Sequence, residues 1–219
     1  MTPSVLYLHG LLSSPASRKA QLFKERLAAS GLAVVIPDLT QGDFHNLTTS
    51  RAVAQAVTEA GEMTSPLVLM GSSFGGRVAL HSAAALDERV AGLVLMAPAL
   101  NLEEVLMNML GAEQRARWRS QGWIPMAHPV LGDGATLGIA MFHDAGVTDR
   151  LPTLRSDLPV LLLHGRQDDV TPFCESAKFA EKNSGVTLVE LEADHRLSGQ
   201  HDRIWSEVEP FLKSVLTYS

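Results

Sequence analysis

Cysteine is almost absent from this chain, and its scarcity limits how the fold can be stabilised. The 219 residues include a single cysteine, Cys174, so no disulfide can form within the chain. Because reducing compartments keep thiols free, this composition favours a cytoplasmic location. The first residues, Met1 to Ser4, run directly into apolar sequence without a basic leader or a small-residue cleavage site, so we expect no signal peptide.

Long apolar runs, charge runs and closely spaced histidines are missing too. The longest apolar stretch, Ala91 to Leu100, is far shorter than the roughly 20 residues that cross a bilayer, so no membrane span is expected. The 18 Lys and Arg against 24 Asp and Glu give a net charge of −6, with no run of five like charges. This balance argues against nucleic acid as a partner. No histidine pair shows the i, i+4 spacing of a metal site on a helix, so no metal is predicted.

Apolar residues, by contrast, make up 46% of the chain and form short runs that alternate with helix-compatible segments. The runs lack in/out alternation, which is typical of parallel strands buried on both faces. This order predicts an α/β fold with a mostly parallel sheet of about six strands flanked by helices, in one domain spanning residues 1–219. The predicted strands are Val5 to His9, Ala33 to Ile36, Leu67 to Gly71, Ala91 to Ala97, Val160 to His164 and Val186 to Leu191. The predicted helices are Ser17 to Ser30, Ser50 to Glu62, Phe74 to Leu86, Pro172 to Asn183 and Ile204 to Leu216.

Residues 101–150 separate two neighbouring strands by more than a simple crossover requires, which predicts an insertion. Leu102 to Arg119 is helix-compatible, and a Gly132-Asp133-Gly134 turn between Trp123 to Leu131 and Ala135 to Phe142 predicts a hairpin. We expect this helix and hairpin to form a small cap over the strand ends. Its large apolar residues either line an acyl-binding pocket or form the core of the cap: Met107, Met109, Leu110, Trp118, Trp123 and Phe142.

The strongest local signal is Gly71-Ser72-Ser73-Phe74-Gly75, a GxSxG pattern between a predicted strand and a predicted helix. A serine at such a sharp turn has a strained backbone, and the glycines two positions away on either side leave room for the chain to close. Oγ of Ser73 should project above the sheet as a nucleophile, whereas Ser72 is one step out of register and should point elsewhere. A plain glycine-rich turn is the alternative explanation of the pentapeptide taken alone.

A nucleophilic serine needs an imidazole to take its proton and a carboxylate to orient that imidazole. His195 follows the last predicted strand, and we predict it as the general base, with His201 as the rival. Asp168 follows the preceding strand and is predicted to orient His195. It is preferred to its neighbour Asp169 because it lies four residues after His164 in the turn.

An oxyanion formed at Ser73 also needs hydrogen-bond donors. The helix that begins at Phe74 offers a backbone N–H group and a positive dipole end. His9-Gly10-Leu11-Leu12 ends the first strand, where a second donor would face the nucleophile. We assign the oxyanion hole to the backbone N–H groups of Leu11 and Phe74, with that of Leu12 in reserve.

These residues resemble those of the α/β-hydrolase superfamily over nearly the whole chain, including its order of serine, aspartate and histidine, each at a strand end. The segment from Tyr7 to Pro15 resembles small bacterial esterases of the YqiA type. The segments Asp168 to Pro172 and Asp194 to Leu197 are similar to those of acyl-protein thioesterase-like hydrolases related to mammalian ABHD-ten proteins. The resemblance implies cleavage of esters or thioesters through an acyl-enzyme, with no cofactor, on a scaffold that lacks the two leading antiparallel strands of the superfamily.

The function predicted from the sequence is therefore a serine carboxylesterase for short to medium acyl esters, acting on a small-molecule ester or thioester. A thioesterase, an amidase or a carbon–carbon hydrolase with the same three residues is the alternative within enzymes. A non-catalytic ligand-binding module on a hydrolase scaffold is the alternative from another class. Either a monomer or a homodimer is compatible with the sequence.

Overall fold

A computed structural model describes residues 2–216 of the chain. Its strands are β1 (Ser4–Leu8), β2 (Ala33–Val35), β3 (Leu67–Ser72), β4 (Val90–Met96), β5 (Trp123–Pro125), β6 (Thr136–Gly138), β7 (Val160–Gly165) and β8 (Val186–Leu191). Its α-helices are α1 (Arg18–Ala29), α2 (Thr49–Gly61), α3 (Phe74–Leu86), α4 (Leu102–Met109), α5 (Ala112–Gln121), α6 (Ala140–Thr148), α7 (Phe173–Lys182) and α8 (His201–Val215). Among these helices, none combines the length and the hydropathy needed to cross a bilayer.

Six strands form one parallel sheet in the order β2-β1-β3-β4-β7-β8. Every residue of β1, β3 and β7 is buried, whereas the edge strands β2 and β8 are partly exposed. Central parallel strands are covered by helices on both faces, which explains why their sequences are continuously apolar. The predicted six-stranded α/β architecture is confirmed.

The helices cover the two faces of the sheet, and alternate residues of each strand point to opposite faces. Leu6 and Leu8 of β1 pack in the cluster that includes α2 and α3, whereas Val5 and Tyr7 pack in the cluster that includes α1 and α8. Side chains at the N-caps help to set where helices begin: Ser17 Oγ accepts a hydrogen bond from the Ala20 N–H at the start of α1.

The insertion, residues 101–150, differs from its prediction in two places. The single helix predicted from Leu102 to Arg119 is wrong, because Gly111 adopts an extended conformation (φ −68°, ψ 164°) and is the N-cap of a second helix, α5. The predicted hairpin is present as the antiparallel pair β5–β6. Its second strand ends at Gly138, however, and α6 follows because Met141 and Ala145, one helical turn apart, are both buried.

The insertion packs directly on the main sheet and its helices. Trp118 and Ile124 belong to the same apolar cluster as Leu8 of β1. The hairpin is attached to the loop after β2, since the Gly138 N–H donates to the His45 carbonyl over 2.9 Å. The insertion therefore extends the core on the α2 and α3 side of the sheet.

The register of the central strands determines where a site can form. Ser72 of β3 pairs with Met96 of β4, Met96 pairs with Leu163 of β7, and Leu163 pairs with Val189 of β8. The carboxyl ends of these strands therefore lie at one edge of the sheet, which is where open α/β sheets bind their ligands.

Candidate active site

Ser73 occupies the sharp turn between β3 and α3. Its backbone has φ 55° and ψ −120°, a conformation that residues with a side chain rarely adopt. Its N–H donates to the Met96 carbonyl over 2.9 Å, which ties the turn to β4. A Cβ on Gly71 would lie 2.2 Å from the Gly75 carbonyl oxygen, and one on Gly75 would lie 2.0 Å from the Leu8 carbonyl oxygen. Backbone crowding thus requires glycine at both positions, and the turn has the geometry of a nucleophile elbow.

The structure brings together the three residues predicted to carry the chemistry. Oγ of Ser73 lies 2.9 Å from Nε2 of His195, and Nδ1 of His195 lies 2.8 Å from Oδ2 of Asp168. Because the ionised carboxylate can only accept, Nδ1 carries the proton and Nε2 is free to accept the one on Ser73. The His195 ring is 18% exposed and the Asp168 carboxylate is fully buried. An imidazole held in this way can remove a proton from the serine hydroxyl.

Asp168 accepts five hydrogen bonds. Its Oδ1 accepts from the backbone N–H groups of Val170 (2.9 Å) and Thr171 (2.8 Å). Its Oδ2 accepts from His195 Nδ1, from the Thr171 hydroxyl at 2.8 Å and from His164 Nε2 at 3.1 Å. Burial opposes ionisation of Asp168, but the hydrogen bonds from His164 and His195, with the charge of His195, hold the pKa of this carboxyl well below its usual range.

The rival residues from the sequence lie elsewhere. Asp169 is exposed and does not share the Asp168 contacts. His201 begins α8, and its backbone carbonyl accepts from the Arg26 guanidinium. Oγ of Ser72 accepts from Nζ of Lys19 over 3.3 Å and so faces α1. Asp194 accepts from the Ser198 N–H and hydroxyl, which stabilises the loop that carries His195.

The loop that contains Gly10 lies directly beside Ser73. A Cβ placed on Gly10 would lie 3.6 Å from the Cβ of Ser73. His9 donates from Nδ1 to the Gly10 carbonyl over 2.8 Å and accepts from the Leu39 N–H at Nε2 over 3.1 Å. Burial lowers the pKa of His9, which favours the neutral ring that this pattern requires. Since the C=O and N–H of a trans peptide point in opposite directions, the bond to Gly10 turns the Leu11 N–H away from His9.

The two backbone N–H groups predicted as the oxyanion hole are both available. Within residues 2–216, neither Leu11 nor Phe74 donates its N–H to a protein acceptor, and the same holds for Leu12. Phe74 is the first residue of α3, where an N–H has no partner inside the helix. The helix dipole adds positive potential at this end.

Two residues that contact Asp168 were not assigned a catalytic part from the sequence. His164 is buried at the end of β7 and donates to Asp168. Thr171 donates to Asp168, and its hydroxyl also lies 3.1 Å from His195 Nδ1. The spacing of His164 and Asp168 was visible in the sequence and was used only to choose between two carboxylates. Nothing in the pattern around Thr171 marked it.

The six apolar candidates of the insertion divide by burial. Leu110 and Trp118 are buried in the main apolar cluster, and Met107 and Phe142 pack against it. Met109 and Trp123 are each 40% exposed. Packing in the core therefore accounts for the first four, and only the last two present large apolar area to solvent. Within residues 2–216 no group of three or more His, Cys, Asp or Glu is arranged to hold a metal ion.

Known proteins resemble this chain over most of its length. Residues 4–212 match the model of the uncharacterised protein family UPF0227. The chain is 24% identical over 215 residues to the bovine mitochondrial palmitoyl-protein thioesterase ABHD10, covering 92% of this chain and 69% of that one.

Two solved structures share the fold. The mouse protein described as alpha/beta hydrolase domain-containing protein 10 is 22% identical and superposes with a TM-score of 0.79, over 98% of this chain and 91% of the other. A putative hydrolase from Agrobacterium vitis S4 is 26% identical and superposes with a TM-score of 0.82, over 95% and 87% of the two chains. The chain therefore belongs to the uncharacterised protein family UPF0227, has the α/β-hydrolase fold, and has hydrolases as its relatives.

Proposed function

We propose that the protein is a serine hydrolase that cleaves carboxylic esters of short to medium acyl chains through an acyl-enzyme. The observation that carries this proposal is the continuous hydrogen-bonded chain from Ser73 Oγ through His195 to Asp168, with distances of 2.9 and 2.8 Å. A hydroxyl, a neutral imidazole and a buried carboxylate in this order can generate a nucleophile at neutral pH.

In the proposed mechanism His195 Nε2 removes the Ser73 proton as Oγ attacks the ester carbonyl carbon. The Leu11 and Phe74 N–H groups donate to the oxyanion, because both are free and lie at the loop and helix end that flank Ser73. His195 then protonates the departing alcohol. It next takes a proton from water as that water attacks the acyl-enzyme, and it returns the proton to Ser73 Oγ as the carbon–Oγ bond breaks and the acid leaves.

The insertion is the proposed cap, with residues 101–150 as its limits in a single domain. Met109 and Trp123 are its first candidates for contact with the acyl chain, because they are exposed. The four residues that pack inward rank after them. A flexible Met and a Trp suit an apolar acyl chain of variable length.

The cytoplasmic location remains a prediction, and so does the oligomeric state, a monomer or a homodimer.

The proposal is tested by hydrolysis of a p-nitrophenyl ester series from acetate to palmitate. Ser73→Ala should lower kcat by about 10⁴-fold or more, since the nucleophile is lost. The matched control is Ser72→Ala, which removes the neighbouring hydroxyl that contacts Lys19 and should keep activity within about threefold. An active, well-folded Ser73→Ala protein would rule out the assignment.

A thioesterase is the second candidate, because the bovine relative is named as a palmitoyl-protein thioesterase. Acyl-thioesters of matched chain length, assayed beside the oxygen esters, distinguish the two activities through kcat/KM.

Labelling by a serine-reactive phosphonate distinguishes both enzymatic activities from a non-catalytic binding module. Mass spectrometry should find the adduct on Ser73 in the wild type and in Ser72→Ala, and no adduct in Ser73→Ala. A wild-type protein that resists both labelling and turnover would support the binding module.

A further inference from the structure

Asp168 lies between two imidazoles, and the proposed mechanism uses only one of them. His195 approaches Oδ2 from the loop after β8, and His164 approaches the same oxygen from the end of β7. The His164 side chain is 1% exposed, so it cannot contact a substrate. Its role must act through Asp168.

The contacts of His164 determine which way its donor points. Nε2 lies 3.1 Å from Asp168 Oδ2 and 2.9 Å from the Thr171 carbonyl oxygen, and both of these atoms only accept. Nε2 therefore carries a proton. Nδ1 lies 2.7 Å from the Ser176 hydroxyl of α7, which can either donate or accept. The Nε2–H consequently faces Asp168 however the hydroxyl is turned.

We propose that His164 is a positioning residue that shares Asp168 with His195, holding the carboxylate in place and limiting how strongly it attracts the His195 proton. This inference rests on the proposed function of Ser73, His195 and Asp168. A carboxylate oxygen that already accepts from His164 has less electron density to offer His195. The proton thus stays on Nδ1 of His195, which leaves Nε2 free to accept the proton of Ser73.

The Thr171 hydroxyl also donates to Asp168 Oδ2, over 2.8 Å, and any variant of His164 retains that donor. α7 presents the Ser176 hydroxyl and the Phe173 ring, whose centroid is 5.7 Å from that of His164 and whose plane is at 85° to it. The charged and titratable groups that face the pair are His195 and, on α1, Lys19, whose ammonium interacts electrostatically with Asp168 and Asp194. The Arg166 guanidinium lies over the Phe173 ring, 5.6 Å from its centroid.

Two substitutions separate hydrogen bonding from packing. His164→Leu removes the donor and keeps an apolar side chain in the buried site. His164→Gln places an amide N–H close to the position of Nε2 and should restore the bond to Asp168. We expect His164→Leu to lower kcat on p-nitrophenyl esters by about tenfold, with KM within about twofold, because no substrate contact is lost. His164→Gln should stay within about threefold of the wild type.

The pH profile supplies a readout that a packing role alone would not move. In His164→Leu the acid limb of kcat/KM should shift to higher pH by about 0.5 unit or more, because Asp168 then binds the His195 proton more tightly. In His164→Gln the limb should stay near the wild-type position. Equal limbs in all three proteins, or a shift of the same size in the Gln variant, would overturn the proposal.

The same comparison can be made without catalysis, which separates this proposal from that for function. Ring ¹⁵N signals of labelled histidine report the protonation of His195 during a pH titration in the absence of substrate. The His195 midpoint should be higher in His164→Leu than in the wild type and His164→Gln, even if no ester is hydrolysed. An unchanged midpoint in folded His164→Leu overturns the positioning role, whereas inactivity of the wild type counts only against the proposed function.

Discussion

Single glycines control how closely the backbone of α3 approaches β1. A Cβ on Gly75 would lie within 2.0 to 2.5 Å of backbone atoms of Leu8 and His9, and these cannot move without shifting a central strand. Gly75→Ala should therefore lower the free energy of unfolding by about 2–3 kcal/mol or more, measured by urea denaturation. Gly61→Ala is the matched control, because nothing lies within 4 Å of its Cβ at the end of α2. It should be neutral or stabilising by about 0.5 kcal/mol.

Lys19 gives a residue-scale prediction about pH. Burial lowers its pKa from 10.5 to about 8. Between those values the unfolded chain keeps a proton that the folded chain has lost, so the free energy of unfolding should rise with pH in that window. Lys19→Met should reduce this rise between pH 7.5 and 9.5, as measured by urea denaturation at each pH. Lys213→Met should keep the wild-type slope, since Lys213 is 63% exposed, and equal slopes in all three proteins would contradict the prediction.

The choice of Asp168 over Asp169 from sequence was possible because turn spacing is a local property. The role of His164 in positioning Asp168 was not predictable in the same way. It depends on Ser176 and Thr171, which approach from a helix and a turn whose positions follow only from packing. Local pattern can identify a carboxylate at a strand end, but not how many donors meet it.

At the scale of elements, one guanidinium joins α3 to both ends of the insertion. The Arg77 side chain is fully buried. It donates to the carbonyls of Ala99 and Leu100, to the Thr148 hydroxyl at 2.7 Å and to Asp149 Oδ1 at 2.8 Å. The Asp149 carboxylate also accepts from the first two N–H groups of α4. Arg77 is one turn after Ser73, so it connects α3 to the proposed cap.

Loss of this buried cation should be costly. Arg77→Leu should lower the free energy of unfolding by about 3 kcal/mol, because it leaves Asp149 and two carbonyls without their partner. Limited proteolysis should also cleave the insertion sooner. Arg117→Ala, which breaks an exposed pair with Glu113 at 3.5 Å, should change stability by no more than about 0.5 kcal/mol. Similar losses of stability in both variants would show that the buried Arg77–Asp149 pair contributes no more than the exposed Arg117–Glu113 pair.

Elements were predictable where one kind of environment runs along a whole segment. The six strands of the main sheet fall within two residues of their predicted ends, because central parallel strands are apolar throughout. The insertion was less accessible. The helix from Ala140 contacts α2, where the Ser50 N–H donates to Asp144, and such a contact is not encoded in a local period.

At the scale of the whole molecule, the insertion and the sheet share one apolar cluster, which has a consequence for cooperativity. The chain has three tryptophans: Trp118 and Trp123 lie in the insertion, and Trp205 lies on α8 against the opposite cluster. If the shared core makes one folding unit, all regions should unfold together. In Trp205→Phe the fluorescence of the insertion tryptophans and the far-UV circular dichroism should give the same urea midpoint. An earlier fluorescence transition would show that the insertion unfolds as a separate unit.

The five donors around Asp168 have a further consequence, because together they form a binding site for an anion. The anion they bind is the Asp168 carboxylate, which belongs to the same chain. A neutral carboxyl, or the amide of an asparagine, would have to turn a hydrogen toward this set of donors, and the backbone N–H groups of Val170 and Thr171 cannot accept it. The negative charge of Asp168 therefore stabilises the turn after β7, whether or not a substrate is ever bound. Replacing this aspartate should weaken the fold as well as any chemistry at Ser73.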